Sequence, residues 1–65
     1  MNSEKIGNQA FILKTKSGQW KYEIWIDGEE IQAAAGYENQ FDAIEDALEQ
    51  NQHLEGLAMV IQEEE

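Results

Sequence analysis

The chain contains no cysteine, which excludes disulfides, thiolate metal sites, iron–sulfur clusters and a thiol nucleophile. Proline is also missing, so there is no proline-rich linker and no cis-proline turn. Arginine is absent, and four lysines face 14 carboxylates for a formal net charge of −10. Phosphate contacts need Lys and Arg, so direct nucleic-acid binding is not expected, nor is binding to an anionic membrane surface. The longest apolar run, Leu57 to Ile61, is far too short to span a bilayer. Small secreted domains usually carry staples. An unstapled chain without a secretory signal reads as intracellular, and we expect a cytoplasmic protein.

What remains is enough for one small acidic domain of 65 residues. Leu, Ile, Val and Phe make up 14 of the 65, just above the level at which high net charge favours disorder. Residues 1–8 and 63–65 read as frayed ends. The charge is uneven. All four lysines (Lys5, Lys14, Lys16, Lys21) lie in the first third, and no basic residue follows Lys21. A solubilising surface accounts for this without further function. The sharper reading is a surface for a basic protein partner.

From Gln9 to Gly36 the pattern is strand-like. Trp20, Tyr22, Ile24 and Ile26 alternate with Lys21, Glu23, Trp25 and Asp27, a period of two in residues that strands favour. Asp27-Gly28 is a strong two-residue hairpin signal, and Ser17-Gly18 a weaker one. Two-residue loops at both places put Phe11, Leu13, Tyr22, Ile24, Ile31 and Ala33 on one face. We therefore expect a three-stranded antiparallel meander over about 9–15, 20–27 and 29–35.

A helix follows over about 40–50. Asn39 can cap it, and Phe41, Ile44 and Leu48 recur at helical spacing beside Ala43 and Ala47. After Gly56, the run Leu57–Ile61 has the length of a strand. If the helix packs back across the sheet, this strand lies parallel to its neighbour through a right-handed crossover. The expected fold is α+β, in the order β-β-β-α-β, with one helix covering one sheet face.

Two candidate contact surfaces emerge. Asp42, Glu45, Asp46 and Glu49 form one acidic stripe on the helix. A stripe of this kind is usually a solvated face, but it could also be presented to Lys and Arg of a partner. On the sheet face away from the helix, the expected register leaves Trp25 exposed beside Ile12. Such a pair is a candidate patch for a partner or for a second copy, and homodimerisation is a natural remedy for a domain this small.

Catalysis is not expected. His53 is the single histidine, at a helix exit with no orienting partner in sequence. The five glycines are dispersed and form no phosphate-binding loop, and nothing resembles a twelve-residue calcium loop. No metal and no cofactor are expected.

From Phe11 to Leu48 a meander leads through Gly36 into the helix Phe41-Asp42-Ala43-Ile44-Glu45-Asp46-Ala47-Leu48. This order resembles the small partial-RNase-H-like domain of HicB-family antitoxins, and also several bacterial β-β-β-α-β families. The Pro-Gly segment and the DNA-binding region of HicB proteins are not in this sequence. The resemblance implies an acidic protein that neutralises a basic one.

Overall fold

The computed structural model describes residues 7–62 and has the order β1 (Asn8–Lys14), β2 (Trp20–Ile26), β3 (Glu29–Tyr37), α1 (Gln40–Gln50) and β4 (Ala58–Gln62). The expected α+β architecture holds. The sheet order is β3-β2-β1-β4, with antiparallel β1·β2 and β2·β3 pairs and a parallel β1·β4 pair. The last strand thus lies beside β1 in its own chain, and α1 packs against β1, β2 and β3. Of the segments expected to fray, 63–65 and 1–6 lie outside the described residues. Asn8 is ordered at the start of β1, and its side-chain amide donates to the Glu55 carbonyl at 2.9 Å. Among the described residues, no helix is long and apolar enough to cross a membrane.

The first hairpin corrects the expected register. Thr15 N–H donates to the Gln19 carbonyl and Gly18 N–H to the Thr15 carbonyl, which closes a three-residue loop over 16–18. Gly18 has φ +91°, the left-handed residue such a loop requires. One extra loop residue slips the pairing by one, so Ile12 faces Tyr22 and Ala10 faces Ile24. Because side chains alternate, the slip moves all of β1 to the other face. Phe11 and Leu13, expected under the helix, are on the open face. Ile12, expected on the open face, is fully buried.

The second hairpin turns at Asp27 and Gly28, both with positive φ, as expected for this dipeptide. Two irregularities then shift β3. Ile31 bulges out between the Trp25↔Glu30 and Ile24↔Gln32 pairs. Gln32 and Ala34 therefore take the places expected for Ile31 and Ala33, and Ile31 is exposed. The second shift leaves Gly36 unpaired at φ +92°. Bulges of this kind are common on edge strands, where they blunt the free edge.

The helix begins and ends where the sequence places it. Asn39 Oδ1 accepts from the Asp42 N–H at 2.9 Å and caps the first turn. Its rotation differs from the expectation. Ala43 and Ala47 face the sheet and are buried, Ile44 is half-buried, and Phe41 and Leu48 stand 71% and 46% exposed. The sheet already presents Trp20, Tyr22 and Tyr37 on that side. Aromatics of that bulk leave room only for the small helix residues.

The core is accordingly Ala10, Ile12, Tyr22, Ile24, Ala43 and Ala47. A polar set at the helix–sheet junction holds the rotation. The Asn51 amide, buried at the helix end, donates to Gln32 Oε1 at 2.9 Å and to the Ala47 carbonyl at 2.8 Å. The Tyr37 hydroxyl donates to the Asp46 carboxylate. Turning the helix to bury Phe41 and Leu48 would break these bonds and strand buried polar groups.

Candidate interaction surface

The helix covers one sheet face, and the register decides what the other face shows. Phe11 and Leu13 from β1, Lys21, Glu23 and Trp25 from β2, Glu30, Ala33 and Ala35 from β3 and Val60 from β4 share it. Phe11 and Trp25 meet edge to face with ring centroids 6.1 Å apart. Trp25 Nε1 donates to Glu23 Oε1 at 3.1 Å, and Glu23 Oε2 lies 3.5 Å from Lys21 Nζ. The bonds to Glu23 hold the indole against the sheet. Phe11, Leu13, Trp25 and Val60 are half-buried, and among the described residues no second layer lies over them.

The acidic stripe lies on the other layer. Asp42, Glu45 and Glu49 are exposed. Asp46 is half-buried and engaged with Tyr37. Burial, and after it that carboxylate, holds the Tyr37 phenol well above the usual tyrosine range. Tyr22 is raised as well, first by burial and then by the charge of Asp46. Neither phenol ionises at neutral pH, so both serve as hydroxyl donors rather than bases.

Of the two candidate surfaces, the acidic stripe and the Trp25 patch stay on opposite sides as expected, and Ile12 is removed from the Trp25 patch. Trp25 stands on the open sheet face, the acids Asp42, Glu45, Asp46 and Glu49 are on the helix, and Ile12 is in the core between them. Sequence reasoning missed Phe11, Leu13 and Val60 as surface residues. A signal was available. The runs Ala10–Leu13 and Ala58–Ile61 are continuously apolar rather than alternating. Strands of that composition are suited to burial on both faces.

Among the described residues, no three His, Asp or Glu side chains converge as a metal-binding group. His53 is exposed in the turn after α1. No protein-family model, curated protein or solved structure matches the chain.

Proposed function

We propose that this is a non-enzymatic, cytoplasmic protein-interaction module that binds through the open sheet face around Phe11, Leu13, Trp25 and Val60. One observation carries the reading. The central strand β1 is apolar on both sides, and its own helix covers only one. A face that combines two packed aromatics with aliphatic neighbours, and has no layer over it among the described residues, has the composition of a contact surface. The cytoplasmic assignment draws on the lack of cysteine.

The reading is tested with a photo-reactive residue at position 13, irradiated in host cells, with the same group at Glu45 as control. The expected result is a discrete cross-linked polypeptide from position 13. Equal, diffuse labelling from both positions would defeat it.

A second reading has its own support. Asp42, Glu45 and Glu49 point outward, and none forms an ion pair among the described residues. A rigid row of carboxylates suits a basic protein surface, in the manner the HicB resemblance implies. Such binding weakens steeply with salt. A triple Asp42→Asn, Glu45→Gln, Glu49→Gln variant that kept a basic partner through the same salt range would remove it.

A further inference from the structure

We infer that the occupant of the open face is a second copy of this chain, stacked sheet to sheet as a two-fold symmetric dimer. The inference rests on the proposed contact role of that face and names its partner.

The distribution of charge favours this occupant. The chain carries a net −10, yet the charged strand residues on the open face are Lys21 and Glu23, which pair with each other, and Glu30, opposite Trp25 at the hairpin end. The remaining strand residues there are apolar or uncharged, among them Phe11, Leu13, Trp25, Ala33 and Val60. Two strongly acidic molecules can approach closely only where acid is sparse, and beyond that ion pair this face carries one carboxylate, at its hairpin end, against a net −10 for the chain. Stacked sheets lie about 10 Å apart. The helices, with Asp42, Glu45 and Glu49, then form the outer layers. Those acidic rows are separated by more than about 20 Å, well beyond the Debye length of about 8 Å at physiological ionic strength.

Shape agrees with charge. Phe11, Leu13 and Trp25 make a ridge over β1 and β2, and Ala33 and Ala35 leave a low strip on β3. In an isologous interface the same patch serves both copies, so the ridge of one copy can sit on the strip of the other. Aligned sheet packing of this type buries alternate residues of facing strands, which is the set on display here. A dimer would also enlarge the apolar core of a domain too short to bury much surface alone.

The test is the molar mass of the full chain by sedimentation equilibrium, over a dilution series, in about 50 mM and about 500 mM salt. The expected result is a reversible monomer–dimer equilibrium that strengthens with salt, because screening removes the repulsion between two acidic chains. Binding to a basic partner has the opposite salt dependence. Trp25→Lys and Leu13→Lys should each weaken the dimer at least about tenfold, since either buries an unpaired charge at the interface. Far-UV circular dichroism and the urea midpoint of each variant, measured on dilute monomer, show whether the fold is kept. If Trp25→Lys loses the fold, Leu13→Lys decides.

A wild-type chain that stays monomeric at about 200 µM in both salts overturns the inference, since an interface with a dissociation constant above that level is too weak to be a stable dimer. A dimer unaffected by both folded variants overturns it too. In either case the contact role of the face is judged separately by the cross-link from position 13. A cross-link to a different polypeptide keeps that role and changes the occupant, and labelling no different from Glu45 ends both.

Discussion

Both faces of the sheet carry large apolar side chains, and they are treated in opposite ways. One carries Ala10, Ile12, Tyr22 and Ile24 and is closed by a helix that presents alanines. The other carries Phe11, Leu13, Trp25 and Val60 and has no layer over it among the described residues. The covered face is fixed by small residues and a few directional bonds, Asn51 to Gln32 and Tyr37 to Asp46. On the open face, the contacts among the described residues include the Phe11–Trp25 edge-to-face pair and the bond from Trp25 to Glu23. The contrast shows that apolar content alone does not decide what a helix covers. Volume and polar satisfaction decide it: over Trp20, Tyr22 and Tyr37 the helix lays its alanines, and its larger Phe41 and Leu48 stay exposed.

The strongest test of this contrast is a matched pair of truncations on dilute monomer. Ile24→Ala should cost about 2–5 kcal/mol in urea unfolding, comparable to the whole stability of a chain this small. Leu13→Ala should cost about 1 kcal/mol or less, because a half-exposed leucine loses little transfer energy. Equal losses would mean that the open face is as tightly packed as the covered one.

Ala47→Leu comes next. Adding volume under Tyr22 and Tyr37 should destabilise by about 1–3 kcal/mol. The neighbouring Leu48→Ala, at an exposed position, should stay within about 0.5 kcal/mol. If Leu48→Ala proved the costlier of the two, the helix rotation described above would be wrong.

Asn51→Ala removes both amide bonds at the helix end and leaves Gln32 short of a partner. A loss of about 1–3 kcal/mol is expected. Hydrogen exchange at the last turn of α1 should speed up more than exchange in β1. Uniform acceleration would instead mean that the bond stabilises the whole domain and does not set the helix end.

The smallest effect is a pH dependence confined to the covered face. Both tyrosines have phenols raised above the ordinary value of 10.0. The unfolded chain therefore releases these protons first, and the folded chain binds more protons above that point. The resulting stability is complete below pH 10 and falls as pH rises beyond it. Urea midpoints at about pH 8 and about pH 11 should show the decline. Tyr37→Phe should flatten it, and an unchanged slope in that variant would assign the decline to other groups.

Much of the fold is legible because local signals agree. Asp27-Gly28 specifies its turn, Asn39 its cap, and the period of two in Trp20–Ile26 its strand. The position of the contact surface is less legible, since it depends on one residue of loop length. Ser17-Gly18 and Lys16-Ser17-Gly18 are the same letters read as two different loops. The choice between them decides whether Ile12 or Phe11 meets the helix. The continuous apolar run through β1 gives no preference, as either face would be apolar.

The sequence by itself determined the element order, the helix boundaries, the absence of thiol chemistry and the strongly negative charge. These follow from local conformational preference and composition, which need no knowledge of neighbours. The tertiary structure decided the register of β1, the bulges in β3, the rotation of α1 and the exchange of Ile12 for Phe11 beside Trp25. Each of these depends on how volumes and buried polar groups fit across elements distant in sequence. That fit exists only once the sheet and the helix are in contact.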